Sequence, residues 1–276
     1  MTAVQETSAP AGQARRTRRG AARNNDWLLG IVGVIAALLI WELAGRAGLL
    51  SQEVIPGPLT VLARLGELAT TPAFWLNVWA TLQSALLGLV TVLVIASVLA
   101  LLIGLVPAFR ESTWFLVEFL KPIPPIALIP LGLLLWGPSL TMKLTLITFG
   151  ALWPLLTQLV YGIRETDKTV LDMSKSYRLG WWLTTTRIIV PTLLPYALTG
   201  LRISASIAVV VAVVTELVGG ARGMGQAIAV AQVNNNLPTL YAYVVAAGLL
   251  GILVNLAFMV TERPLLFWHP SVRERG

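Results

Sequence analysis

Few residues in this 276-residue chain have the type or spacing that covalent chemistry needs. No stretch matches GxxxxGK(S/T), so the chain is not expected to cradle the phosphates of ATP itself. There is no HExxH. His269 is the single histidine, and its place after Phe267 and Trp268 fits a membrane interface better than a ligand or catalyst. Cysteine is absent, which excludes disulfides, thiolate metal sites and Cys nucleophiles. GRAGLL and GARGMG bring glycines close together, but neither follows a strand pattern, so no dinucleotide site is expected. No catalytic residue and no metal ligand set is predicted.

The polar stretch with the most organised pattern is DMSKSYRLGWWLTTTRIIVP, Asp172 to Pro191, between two long apolar runs. Val170, Met173 and Tyr177 recur at i, i+3 and i+7, on one face of a short helix. Asp172 and Lys175 can pair on its flank. Gly180 follows where a helix would stop. Trp181 and Trp182 suit a membrane interface, and Pro191 suits a helix start. Periodicity alone favours a solvated amphipathic connector over a docking helix.

The composition sets the frame for that stretch. The chain is 56% hydrophobic and 12% charged, against about 25% charged in soluble domains. Most of it must face lipid or other apolar helices. The net charge of +7 is spread over inter-span segments and an N-terminal arm, which argues against nucleic acid as a partner. No signal peptide is expected, because the first apolar run begins at Trp27 after a long basic arm and lacks a clear cleavage site.

Residues 1–26 read as a disordered basic arm carrying Arg15, Arg16, Arg18, Arg19 and Arg23. Six spans are expected at about residues 27–45, 82–106, 123–136, 140–161, 192–218 and 239–260. The first carries Glu42 near its far end. A short amphipathic helix is expected at Leu59 to Leu68, and an approach along the membrane before the second span. Arg110 to Lys121 reads as an interfacial turn. Pro122, Pro124, Pro125 and Pro130 forbid a regular helix start, which a bilayer tolerates only beside protein or a water-filled cavity. Pro154 is expected to kink the fourth span, which carries Lys143 near its outer end. Residues 162–191 form a loop, residues 219–238 a second loop, and 263–276 a tail.

Six spans put both termini on one side. With the N-terminus inside, inner segments hold Arg15, Arg16, Arg18, Arg19, Arg23, Arg110, Lys121, Arg164, Lys168, Lys175, Arg178, Arg187, Arg263, Arg273 and Arg275. Outer segments hold only Arg46, Arg64, Lys143 and Arg222. The positive-inside rule therefore predicts cytoplasmic termini and a cytoplasmic 162–191 loop.

Arg202 and Glu216 flank the fifth span. Both can snorkel to opposite interfaces, since fourteen positions make roughly 21 Å of helix. Either can instead line a path, because charge at membrane depth usually faces a cavity. The two readings weigh equally for Glu216, and snorkelling is favoured for Arg202. Ser204, Ser206 and Thr215 on the same span can line a polar path or pack between helices.

The Asp172–Pro191 stretch resembles the EAA loop of permease subunits of bacterial ABC importers. That pattern is Glu-Ala-Ala, three residues, Gly, nine residues, Ile, one residue, Leu-Pro. Asp172, Met173 and Ser174 fall on Glu-Ala-Ala, Ile188 on Ile, and Val190 with Pro191 on Leu-Pro. Arg178 replaces the usual glycine, and Gly180 is expected to take over the stop, lengthening the helix by about half a turn. The flanks KPIPPIALIPLGLLLWG (Lys121 to Gly137) and PTLLPYALTGLRISAS (Pro191 to Ser206) are similar to the nitrate/sulfonate/taurine branch.

The resemblance implies an all-α membrane protein with a six-span bundle like type I ABC importer permeases, in the bacterial cytoplasmic membrane. It implies coupling to an ATPase through Asp172, Met173, Ser174, Tyr177, Arg178, Leu179 and Gly180, and a translocation path near Pro124, Pro125, Ser204, Ser206, Thr215 and Glu216. The implied partners are a second permease copy in a homodimer, two cytoplasmic ATPase subunits that bind ATP and Mg, and an extracytoplasmic binding protein. A channel, a secondary transporter and a membrane-embedded enzyme subunit are the alternatives. The enzyme lacks a cluster of intramembrane carboxylates, histidines or cysteines, and the secondary transporter lacks a convincing internal repeat.

Overall fold

A computed structural model describes residues 26–49, 51 and 54–266. The arm expected at 1–26 and the tail beyond Leu266, with His269, lie outside the described residues apart from Asp26. The chain divides into two compact units, residues 1–60 and 61–276. The first unit contains α1 (Asp26–Arg46), whose apolar side chains are largely exposed and whose Glu42 pairs with Arg46 at 2.8 Å.

The second unit is all helix among its described residues. After α2 (Pro58–Ala69), α3 runs unbroken from Pro72 to Leu105. The expected approach along the membrane is therefore the first turns of one 34-residue helix. Pro72 sits in its first turn, where the missing N–H costs nothing. The buried face of α3 is Thr81, Ala85, Gly88, Val92, Ala96, Ala100 and Ile103, a small-residue stripe at steps of three and four. Its other face, with Leu86, Val90, Val94, Val98 and Leu101, is exposed and apolar.

The Arg110–Lys121 segment is a helix and not a turn: α4 spans Pro107–Leu120. A 3-10 turn (Pro125–Leu128) and the eight-residue α5 (Ile129–Trp136) follow. The expected third span, 123–136, is thus too short to cross as one α-helix. Only together with α4, across an 85° bend at the proline run, is it long and apolar enough to be a candidate span.

α6 (Leu140–Arg164) is the central helix, packed on α3 and on α9 (Val190–Gly219). Ser139 caps it, accepting from the Met142 N–H at 3.3 Å. Pro154 lies inside it without ending it. Next come α7 (Lys168–Ser176) and the short α8 (Trp181–Thr184). A π turn (Thr185–Ile189) leads directly into α9. Helical turns therefore run from Trp181 to Gly219, with Pro191 in the first turn of α9 as expected. The wider turn, closed by Val190 N–H on Thr185 O, accommodates a proline that cannot donate.

The expected 219–238 loop contains a helix, α10 (Met224–Val233), packed on α9 and on α11 (Leu237–Leu265). Its three-turn length and the turn residues around it hid it between two spans. α11 overruns the expected tail boundary. Five described helices are long and apolar enough to cross a membrane, and the bent α4–α5 pair can supply a sixth.

Close approach of α3 and α6 rests on Gly88. A Cβ there would collide with the Ile147 side chain. Gly88→Val should lower stability by about 1–3 kcal/mol, read as thermal unfolding in detergent. Ile147→Ala in the same chain should recover part of that loss, so the double variant loses less than the two single losses added.

Candidate functional site

α7 is built to stand on its own between two spans. Asp167 caps its start, its carboxylate accepting from the Thr169 N–H at 2.7 Å. Ser174 is buried, its hydroxyl donating to Leu171 O at 2.7 Å. Asp172 and Lys175 pair at 3.0 Å in full solvent exposure, where such pairs contribute little. Met173 and Tyr177 are 56% and 79% exposed, with Val170 beside them at 39%. Trp181 and Trp182 extend this apolar surface through α8, both more than two-thirds exposed.

The expected docking helix Asp172–Gly180 is displaced. The helix begins at Lys168 and ends at Ser176, so Tyr177, Arg178, Leu179 and Gly180 form its closing turn. Arg178 itself takes the left-handed backbone, at φ 52°. Its N–H donates to Lys175 O at 2.9 Å, and the Leu179 N–H donates to Ser174 O at 2.8 Å. These two bonds make a complete Schellman closure. Gly180 does not take over the stop: at φ −61° and ψ 154° it is extended and leads into α8. The half-turn extension does not occur, because two backbone hydrogen bonds hold arginine in the glycine conformation.

At the other end of the bundle lies a charged centre that spacing could not reveal. Lys143 and Glu216 are 73 positions apart and fully buried, with Nζ 2.5 Å from Oε1. Lys143 also donates to Ala80 O at 3.2 Å and Arg222 O at 3.0 Å, so its three protons are all used. The second Glu216 oxygen accepts from the Thr81 hydroxyl at 2.7 Å and the Gly225 N–H at 3.1 Å. Thr81 in turn accepts from the Met224 N–H at 2.9 Å. The network joins α3, α6, α9 and the start of α10. Gly223, at φ 155°, and Gly225 lie against the carboxylate and the α9 backbone, where a Cβ would collide.

Glu216 is therefore buried against Lys143 and does not reach the surface of the chain. The available signal was position: Lys143 is one turn into α6, and Glu216 is one turn from the end of α9. Arg202 pairs with Glu262 of α11 at 3.1 Å.

The remaining path candidates separate in space. Ser204 is buried and donates to Ala151 O at 2.7 Å, and Thr215 is buried beside the charged pair. Ser206 faces a groove between α9 and α11 that also contains Asn255. Pro124 is exposed at the bend, and Pro125 lies close against Gly150 of α6. Gly150 edges a groove of about 370 Å³ between α6 and α9, lined also by Lys121, Trp153, Pro154, Thr157 and Gln158. Thr157 and Gln158 were not singled out in the sequence, since neither is charged nor set in a motif.

Comparison with known proteins places these features in context. The sequence model described as "Binding-protein-dependent transport system inner membrane component" matches residues 34–263. A putative aliphatic sulfonates transport permease protein of Bacillus subtilis (strain 168) is 27% identical, covering 98% of this chain and 99% of its own length. The taurine transport system permease protein of Escherichia coli (strain K12) is 25% identical, over 88% of this chain and 90% of its own. A bicarbonate transport system permease protein of Synechococcus elongatus is 26% identical, over 88% and 94%.

Two measurements test the geometry. Lys143→Met or Glu216→Gln alone strands a buried partner and should cost about 3–5 kcal/mol, seen as a lower unfolding midpoint or loss of folded protein from the membrane. Lys143→Met combined with Glu216→Met should lose less than the two single Met changes added; strict additivity would show that the two residues do not interact. At the loop, Arg178→Gly should raise the unfolding midpoint slightly, by relieving about 1 kcal/mol of left-handed strain. Gly180→Ala should be neutral; a clear loss there would contradict the extended backbone at Gly180.

Proposed function

The chain belongs to the family of inner-membrane components of binding-protein-dependent transport systems, and from that premise we propose that it carries a small oxyanion inward, as a homodimer driven by ATPase subunits docked on α7 and α8. It is the permease of an ABC importer, a multi-span inner-membrane subunit with no catalytic role of its own. A permease of this kind implies an ATPase and a substrate-binding protein as partners. ATP and Mg belong to the ATPase.

The docking assignment rests on one observation: an apolar face of Val170, Met173 and Tyr177, exposed on a helix capped at both ends. A solvated connector has no reason to hold Met173 and Tyr177 outward on a rigid turn. A partner's groove gives one, since aromatic anchors dominate such contacts. The family pattern places Asp172, Met173 and Ser174 of the same helix on Glu-Ala-Ala. The docking set is Asp172, Met173, Ser174, Tyr177, Arg178, Leu179 and Gly180. The charge bias supports a cytoplasmic position for this segment and for both termini. The permease domain is then 27–262, with 162–191 as its coupling loop, flanked by a basic cytoplasmic arm and a cytoplasmic tail.

The mechanism is alternating access. ATP brings the two docked helices together, the spans rock outward, and solute is released inward after hydrolysis. The path runs beside the Pro124–Pro125 bend and the α6–α9 groove. For the solute, the relatives' names share one chemistry: sulfonate, taurine and bicarbonate all present an oxyanion. The proposed substrate is therefore a small sulfonate or a related oxyanion, selected mainly by the binding protein.

Tyr177→Ala should uncouple ATP hydrolysis from uptake in reconstituted vesicles or release the ATPase, whereas Lys175→Ala should change little. With no native cysteine, a Cys at Tyr177 should cross-link to a Cys on the copurified ATPase. Normal transport by Tyr177→Ala together with absent cross-linking would overturn the docking assignment. For the solute, uptake of labelled taurine, ethanesulfonate and bicarbonate, each supplied with the cognate binding protein, should show one oxyanion carried. Uptake of none would overturn the substrate class.

A further inference from the structure

Where α3, α4 and α6 meet, their side chains enclose a cleft of about 220 Å³. Ile103, Val117, Leu156 and Val160 give it apolar surface, and Thr113, Thr157, Glu118 and Lys121 add polar lining. Its lining also includes Arg110, Arg164 and Tyr161, and a second depression continues outward over Arg110, Trp114 and Arg164. Among the described residues, no ion pair or hydrogen bond engages the side chains of Arg110, Arg164 or Tyr161. The neighbouring charges differ: Lys121 is paired with Glu118 at 3.3 Å. Glu111 offsets one of the two free guanidinium charges, leaving the mouth positive.

α4 forms one wall and buries none of its residues. Phe115 and Phe119 stack on its exposed face, with Trp114 65% exposed alongside. The helix is amphipathic and lies 85° from the segment that follows. Its outward Trp114, Phe115 and Phe119 suit a membrane interface, where aromatic side chains sit at headgroup level.

Apolar surface below free guanidinium groups fits an amphiphile with an oxyanion head and a hydrocarbon tail. We propose that this cleft binds an anionic membrane phospholipid. Arg110 and Arg164 donate to its phosphate, the Tyr161 hydroxyl supplies a third donor, and the first acyl carbons lie against Ile103, Leu156 and Val160. A transported sulfonate shares the head chemistry. The lipid is favoured because the cleft continues outward over Arg110, Trp114 and Arg164 beside the exposed aromatic face of α4, although it shares Lys121 and Thr157 with the α6–α9 groove on its other side. The proposal does not depend on which solute is carried or on where the ATPase docks.

The test is lipid titration of the delipidated full-length chain, read by native mass spectrometry. Wild type should bind dioleoylphosphatidylglycerol over dioleoylphosphatidylcholine by a factor on the order of ten. Arg110→Gln with Arg164→Gln should bring that ratio near one. Arg110→Lys with Arg164→Lys should keep most of it, separating lost charge from lost fold. Arg187→Gln, outside the cleft, should leave it unchanged. Equal binding of the two lipids by wild type, or a preference that survives the double Gln change, overturns the proposal. So does 1-octanesulfonate binding in an Arg110- and Arg164-dependent way while phosphatidylglycerol does not.

Discussion

Two opposite charges buried in an apolar bundle, Lys143 and Glu216, constrain the helices around them. Neither can leave the other without stranding a charge away from water, which costs about 3–5 kcal/mol. Each remaining proton and lone pair must also be met. That demand explains why Thr81 sits on α3 at this level and why the carbonyls of Ala80 and Arg222 point inward. It also explains the glycines of the GARGMG turn, since Gly223 and Gly225 let the backbone close over the carboxylate. The pair thus joins α3, α6, α9 and α10 into one block.

The opposite end of the bundle is built in the contrary sense. There α9 is approached through a π turn, Pro191 and Pro195 interrupt its donors, and α7 and α8 hold their apolar side chains outward. Rigid packing at one end and deformable turns at the other suit a helix bundle that rocks about its tied end. The Pro122–Pro130 run adds a second break at the α4–α5 bend. In the proposed mechanism, movement imposed on α7 is transmitted through α6 and α9 while the Lys143–Glu216 block turns as a unit.

Much of this was legible in the residues. Charge-free runs and proline positions locate the apolar spans, and the spacing of Val170, Met173 and Tyr177 marks the amphipathic face. α4 was missed because its charges, Arg110, Glu111, Glu118 and Lys121, imitate a turn when the bilayer is the only frame. α10 was missed because a helix under a dozen residues between glycine and asparagine clusters resembles a loop. The Arg178 conformation was misjudged for a different reason: propensity disfavours a left-handed arginine, but two closing hydrogen bonds outweigh it. The ion pair had no local signature, because its partners meet only once α6 and α9 pack antiparallel.

The central claim is that one end of the bundle is locked by a buried charge network while the other receives the partner. Hydrogen–deuterium exchange on the reconstituted permease, with and without its ATPase and through the nucleotide cycle, addresses both ends together. The account predicts that peptides covering 168–182 gain protection when the ATPase binds. Peptides covering 220–226, where the Met224 and Gly225 amides are tied to Thr81 and Glu216, stay equally protected throughout. Unchanged exchange at 168–182 with ATPase bound, or loss of protection at 220–226 in the ATP state, would contradict it.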